Sequence, residues 1–201
     1  PRSTPLYSSA ASDVYKRQLL AKPTCEGSSK GIRSKCFITK VEDFAPAIVE
    51  LWQAYRQPVL VEEFIDGDEI TVGLIGNDPV EILGIMRIVP RDTSTPFIYS
   101  LEVKRDWKNR VDYQCPAQLS AEEEQAIREA AIDAFDILGC RDVARIDFRL
   151  HEGVAYFIEA NPLPGLNPLS SDLVLLADKV GVSHAQLIGR ILQAAMDRQT
   201  S

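Results

Sequence analysis

The chain is poor in the residues that would mark the commonest metal and redox modules. Its 201 residues hold four cysteines, Cys25, Cys36, Cys115 and Cys140, with no CxxC pair and no metal-type spacing. A zinc ribbon or a disulfide scaffold is therefore not indicated, and reduced thiols in a cytoplasmic protein are the expectation. The two histidines, His151 and His184, lie at a turn and near a helix start, where surface roles are expected. No apolar run is long enough to span a bilayer. Residues 1–18 lack the apolar core of a signal peptide. Positive charge is also scarce: 22 Lys and Arg stand against 29 Asp and Glu, a net charge of −7. That balance excludes a general nucleic-acid or anionic-membrane surface and leaves room for a local basic pocket.

What is present is an ordinary globular composition, 45% hydrophobic and 25% charged. Residues 1–18 are polar and without period, and they read as a disordered or non-native leader. From Leu19 the pattern sharpens. Leu19–Lys22 reads as a strand entering the loop Glu26-Gly-Ser-Ser-Lys-Gly31, with Ile32–Ile38 as a returning strand. Val41–Tyr55 places Phe44, Ile48, Leu51 and Trp52 at helical spacing. Val59–Ile65, Ile70–Ile75 and Glu81–Val89 read as strands. Pro90–Pro116 loses its period, and a loop of that length in a compact domain is commonly a lid. Ser120-Ala-Glu-Glu123 is a capping box opening the helix Glu122–Leu138, with Ile127, Ala131, Ala134 and Leu138 as its buried stripe and Gly139 as its stop. Asp172–Val180 and His184–Ala195 read as further helices. Mixed helices and hairpins give an α+β class with largely antiparallel sheets.

The stretch most informative about chemistry is Arg145-Ile-Asp147-Phe-Arg149, a short gap, then Phe157-Ile-Glu159-Ala-Asn161-Pro-Leu-Pro-Gly165. Side chains two apart on a strand share a face. The gap His151-Glu152-Gly153, short and holding a glycine, predicts a hairpin. With Leu150 facing Val154 across a three-residue loop, Arg145, Asp147, Glu159 and Asn161 gather on one surface, and Ile146, Phe148, Leu150 and Ile158 fill the other. A two-residue loop would put the two acids on opposite faces. Two carboxylates and an amide oxygen beside an arginine suit a hard cation such as Mg²⁺ holding phosphates. The plain alternative is a half-exposed hairpin with a solvated charged face.

Two other segments carry weaker signals. In Glu26–Gly31, glycines and serines can bring backbone N–H and hydroxyl donors to phosphate oxygens, with Lys22 just upstream. It is neither a P-loop nor the opening of a helix, and a polar hairpin turn is the competing reading. Leu60-Val-Glu62-Glu63-Phe64-Ile65 could pair with an adenine edge, with a following acid accepting from ribose hydroxyls. An edge strand with a solvated acidic face explains the same residues. Lys104 could equally be a solvated loop lysine.

Taken together the pieces resemble a known family. Lys22-Pro with Glu26-Gly-Ser-Ser-Lys-Gly-Ile32, then Val61-Glu-Glu-Phe-Ile-Asp-Gly-Asp-Glu69, Glu102-Val-Lys104, Arg145-Ile-Asp147 and Glu159-Ala-Asn161-Pro-Leu-Pro-Gly165 stand in the order seen in D-alanine–D-alanine ligases of the ATP-grasp superfamily. The resemblance covers about residues 19–195. It implies an ATP-grasp fold of two lobes, incomplete at the N-terminus: 19–65 from the small lobe, 66–201 the large lobe, with a lid at 90–116 and a metal hairpin at 145–161. It implies Lys22 and Lys104 at the phosphates of ATP, with Glu26, Ser28 and Ser29 on the loop closing over them. Glu62, Glu63, Phe64 and Ile65 would meet adenine, and Glu69 the ribose. Asp147, Glu159 and Asn161 would ligate Mg²⁺, for which Mn²⁺ is an expected substitute. Arg145 would stabilise the reacting centre, and Gly165 and Ser170 would line the second amino acid's pocket.

The implied reaction joins two amino acids, D-alanine to D-alanine in the family, through an acyl phosphate, for cell-wall precursors. A ligase for another amino acid or peptide, and a nucleotide-binding fragment inactive without a missing N-terminal domain, are the alternatives. Small-molecule amino acids are the implied partners, with a homodimer as an open arrangement of the full-length protein. Two departures bear on the second substrate: Arg105 stands where a tyrosine often follows the lid lysine, and Asn161-Pro-Leu-Pro replaces Asn-Thr-x-Pro.

Overall fold

The computed structural model describes residues 18–27, 29–94 and 96–200. These fall into two compact units, one made of residues up to Ile65 with Asp92–Arg110, the other of Asp66–Arg91 with the chain from Val111 onward. The stretch 1–17 and Ser28 lie outside the described residues. Among the described residues, no helix is long and apolar enough to cross a membrane.

The first unit has a three-stranded antiparallel sheet of β1 (Leu19–Pro23), β2 (Phe37–Ile38) and β3 (Val59–Glu63) in the order β2-β1-β3. Helix α1 (Val41–Tyr55) packs on it, and Ala21, Cys36, Ile38, Ala47 and Leu51 form the core. The expected helix face is corrected here. Phe44 and Trp52 are 40% and 50% exposed, and Ala47 and Leu51 take the buried positions. Apolar residues cover so much of this helix that period alone does not choose the buried third. The expected strand Ile32–Ile38 is also shorter. Ser34–Cys36 is a 3-10 turn, and two strand residues follow it. Where the sequence lost its period, the unit has two short helices, α2 (Leu101–Arg105) and α3 (Trp107–Arg110), the first capped by Ser100 accepting from the Val103 N–H at 3.3 Å.

The second unit is a five-stranded antiparallel sheet with helices on both faces. Strands β4 (Asp68–Gly76), β5 (Val80–Pro90), β6 (Val111–Gln114), β7 (Val143–His151) and β8 (Val154–Asn161) run in the order β6-β5-β4-β7-β8. β6 thus falls inside the stretch read as loop 90–116. Even-numbered residues of β4 and β7, among them Ile70, Val72, Leu74, Ile146 and Phe148, meet helix α4 (Ala121–Ile137). Burying each such side chain contributes roughly 1.5–3 kcal/mol. The capping box of α4 is formed: Ser120 Oγ accepts from the Glu123 N–H at 3.2 Å, and Glu123 accepts from the Ser120 N–H at 2.9 Å. Its buried stripe is Ile127, Ala131 and Phe135, while Leu138 is 56% exposed because the helix ends before its side chain turns inward.

The odd-numbered face is built differently. Helices α5 (Asp172–Lys179) and α6 (His184–Thr200) cover one end of it, where Ile75 and Val143 meet Leu173, Val174, Ala177 and Leu187. Two glycines set how near α5 comes. A Cβ on Gly73 would lie 2.8 Å from a Leu173 methyl, and one on Gly84 would lie 3.1 Å from Leu176 and Val180. The other end of the face carries the charges.

Candidate functional site

The hairpin of β7 and β8 turns through two residues, not three. His151 pairs with Val154, and Glu152 and Gly153 have φ of 49° and 77°, the positive values a tight hairpin turn requires. On the sequence argument that loop length should separate the two acids. A β-bulge reverses the outcome. Phe148 pairs with Phe157, but Asp147 pairs with Glu159, so Ile158 is an extra residue that shifts parity along the rest of β8. Ala155 and Ala160 have opposite parity yet both pack against the α4 core, as the bulge demands. Arg145 then stands opposite Asn161, and Asp147 opposite Glu159. The four residues share one face, as expected, by a different route. Ile158 does not join the core; it is 37% exposed on the outermost strand.

Arg145 organises this face. It is 8% exposed. Its Nε and Nη2 donate to Asp147 at 3.0 and 2.7 Å, a two-pronged grip. Nη2 also lies 3.6 Å from Glu159, and Nη1 donates to Asp172 at 3.3 Å. Burial opposes the guanidinium charge, but Asp147, then Asp172 and Glu159, outweigh it and hold Arg145 firmly protonated, above its ordinary value. Asp147 also accepts from Thr71 Oγ1 at 2.9 Å. Asn161 Nδ2 reaches Asp147 at 3.4 Å and Glu159 at 3.2 Å, so these three side chains converge on one point. Asp147 is sheltered, with 13% of its side chain exposed, whereas Glu159 is open at 49%. Three carboxylates around one guanidinium leave the cluster negative. Among the described residues, no group of three or more His, Cys, Asp or Glu side chains is arranged to hold a metal. The candidate set is two acids and an amide.

Asp172 was missed by the sequence reading, which took it as a helix start. It begins α5, is 7% exposed, and accepts from Tyr113 Oη at 3.5 Å. An Asp at the first position of a helix suits the helix dipole, so nothing local signals a second role. Beyond β8, Ser171 rather than Ser170 lies against Gly165. Its Oγ is 2.8 Å from where a Gly165 Cβ would be and accepts from the Asn167 N–H at 2.9 Å. Ser170 is exposed. Glu69 pairs with buried Arg149 at 2.9 Å, and Arg149 also donates to the Gly67 carbonyl at 2.8 Å.

The remaining expected residues lie in the first unit. Lys22 and Glu62 are ion-paired at 2.5 Å across β1 and β3. Glu26 accepts from Gln57 at 3.2 Å, and Ser29, at φ 57°, donates its hydroxyl to the Tyr99 carbonyl at 3.0 Å. Lys104 sits over the Tyr99 ring at 4.7 Å. Glu63 is exposed, Phe64 is buried against Phe37, and Ile65 is half-buried.

Residues 9–193 match the model of the family described as D-ala D-ala ligase C-terminus. The chain belongs to this family. A D-alanine–D-alanine ligase of Geobacillus kaustophilus is 36% identical over 191 residues, covering 92% of this chain and 49% of that protein. One from Lactobacillus delbrueckii subsp. bulgaricus is 34% identical over 182 residues, 90% of this chain and 48% of that protein. The chain thus spans about half the length of these curated relatives. The crystal structure of Bacillus anthracis D-alanine–D-alanine ligase complexed with ATP superposes with a TM-score of 0.70 at 21% identity, covering 99% of this chain and 58% of that one. VanG D-Ala:D-Ser ligase of Enterococcus faecalis gives 0.69 at 23% identity, covering 92% and 52%. The fold of the D-Ala–D-Ala ligase C-terminus family is the ATP-grasp α+β fold expected from the sequence.

Proposed function

We propose that this chain is the ATP-binding, catalytic portion of an ATP-dependent carboxylate–amine ligase, with D-alanine as both substrates. The observation that carries the reading is the bulge that brings Asp147, Glu159 and Asn161 to one point beside Arg145. Their donor set fits a hard divalent cation on a face with excess negative charge: two carboxylates, and the Asn161 amide oxygen once the amide, whose Nδ2 now donates to both acids, turns over. Asp147, Glu159 and Asn161 are the proposed ligands of Mg²⁺, which when bound neutralises phosphate charge. In the first unit, Lys22, Lys104, Ser28 and Ser29 are the proposed phosphate contacts, Glu26 belongs to the nucleotide-binding loop that carries the serines, and Glu62–Ile65 are the proposed adenine contacts. Glu69, in the second unit, is the proposed ribose acceptor.

In the proposed reaction, the first amino acid's carboxylate takes the terminal phosphoryl group of ATP. The second amino acid's amine attacks that acyl phosphate, and inorganic phosphate leaves. Such transfer depends on positioning and charge more than on covalent help from the protein. Arg145, held protonated by its neighbours, is the donor toward the developing oxyanion, a contact of a kind worth about 3–4 kcal/mol. Gly165 and Ser170 are the proposed contacts of the second amino acid, with Ser171 a neighbouring hydroxyl. A ligase for a different second amino acid is the alternative, favoured by Arg105 and by Asn161-Pro-Leu-Pro.

The test is a melting curve of this chain with and without Mg²⁺-ATP, followed by phosphate release from a longer form supplied with D-alanine. The reading expects stabilisation by Mg²⁺-ATP that Asp147→Asn weakens. No change in melting would sink the nucleotide site. Stabilisation without D-alanine-dependent phosphate release would leave a nucleotide site and remove the substrate assignment.

A further inference from the structure

The Arg145 guanidinium has two working edges. The Nε–Nη2 edge grips Asp147, a proposed cation ligand, at 3.0 and 2.7 Å. Nη1 points the other way, to Asp172 at 3.3 Å. Asp172 belongs to neither strand of the hairpin. It sits at the start of α5, which comes close to the sheet because Gly73 and Gly84 have no side chains to hold it off. Tyr113, on β6, donates to its other oxygen at 3.5 Å.

This arrangement resolves a conflict within the site. A carboxylate has about four lone-pair positions. Those of Asp147 already face Arg145, Thr71 and Asn161. A divalent cation on Asp147 competes with the guanidinium for the same oxygens, and the two positive charges repel. A buried guanidinium that loses its carboxylate needs another anion close by. Glu159 cannot serve, because it is the second proposed ligand. Asp172 can, since it is buried, already bonded to Nη1, and fixed by separate elements.

We propose that Asp172 is a positioning residue that retains Arg145 in the site when Asp147 accepts a divalent cation. The proposal rests on the reading of Asp147, Glu159 and Asn161 as cation ligands. It concerns the cation site only, and it assigns Asp172 no contact with substrate. Without the Asp172 charge, Arg145 depends on Asp147 and Glu159 alone and competes harder with the cation. Changing a residue that orients a metal ligand from outside typically costs about 10–100-fold in metal affinity.

The experiment is a Mn²⁺ titration of the 201-residue chain in the presence of ATP, followed by electron paramagnetic resonance of free Mn²⁺. Asp172→Asn is expected to weaken Mn²⁺ by about 10-fold or more, with the circular dichroism of the folded chain retained. Because the effect runs through Arg145, Asp172→Asn added to Arg145→Met is expected to change affinity far less than Asp172→Asn alone. Tyr113→Phe, a milder change in the support of Asp172, is expected to weaken binding in the same direction by less. If wild type takes up no Mn²⁺ with ATP, the cation-site reading falls and this inference falls with it. If wild type binds and Asp172→Asn binds equally well, the cation site stands and the positioning role is overturned. It is also overturned if the loss is as large in the Arg145→Met background, since Asp172 would then act only as a nearby charge. Should Asp172→Asn fail to fold, Tyr113→Phe decides: unchanged affinity overturns the role, and weakened affinity supports it.

Discussion

On the α4 side of β7, Ala144, Ile146 and Phe148 are at most 1% exposed and join one apolar cluster. On the α5 side, Arg145 and Arg149 are 8% and 5% exposed and are tied to Asp147, Asp172 and Glu69. The two sets alternate along one strand and are buried to a similar degree. They differ in what burial requires. Apolar side chains are stabilised in proportion to the area taken from water. Buried arginines are tolerated because carboxylates neutralise them, and such clusters contribute little net stability. One face of β7 therefore sets the stability of the second unit, and the other sets the placement of its charges.

The comparison breaks if a cut into the apolar face also disables the charged one. Phe135→Ala removes a fully buried ring from α4. It is expected to cost about 3–5 kcal/mol, read by urea denaturation. The folded fraction is expected to keep wild-type Mn²⁺ affinity with ATP. A matching loss of affinity would mean that the faces are not separable.

Gly73→Ala tests the charged face through its support. The added methyl would meet Leu173 at 2.8 Å, and Leu173 is fully buried with little room to move. Overpacking of this kind costs about 1–3 kcal/mol. Because Leu173 follows Asp172, the same displacement is expected to loosen the Arg145–Asp172 contact and weaken Mn²⁺. Here stability and affinity should fall together. A destabilised variant with unchanged affinity would show that the approach of α5 does not govern the site.

How much of this was readable beforehand differs between the faces. The apolar face follows from alternation: Ile146, Phe148 and Leu150 point where a strand period puts them, and the capping box marks the start of α4. The charged face depended on one irregularity. The sequence joins Tyr156, Phe157 and Ile158 without a glycine or any other sign of a bulge, so the parity shift at Ile158 could not be read. The convergence of Asp147 with Glu159 was expected, but from a loop length the chain does not have. Asp172 escaped because its partner is distant in sequence and its position looks like ordinary helix chemistry. In the first unit, Ile48 and Leu51 were expected and do pack in the core, but α1 has too many apolar residues for periodicity to put Ala47 beside them in place of Phe44 and Trp52. Ser171 against Gly165 depends on the course of an irregular segment, which no period encodes.

Smaller effects sharpen the same contrast at the ends of the helices. Ser120→Ala removes the cap of α4 and is expected to cost about 1 kcal/mol, seen as a lower melting temperature with no change in Mn²⁺ affinity. The smallest effect concerns the anchor of α6. Asp142 accepts from Arg198 at 2.9 and 3.0 Å and from Asn77 at 3.0 Å. The Arg198 hydrogen bond, more than the other contacts, holds the Asp142 carboxyl below its ordinary 3.8. A carboxyl depressed in the folded state binds its proton more readily once unfolded. Its contribution is therefore present above pH 3.8 and lost as pH falls through the lower folded value. The melting temperatures of wild type and Asp142→Asn should accordingly differ at neutral pH and converge as the pH falls below 3.8. A difference that persists in acid would assign the anchor to Asn77 and the turn at Asp142, whose φ is 68°, rather than to the charge pair.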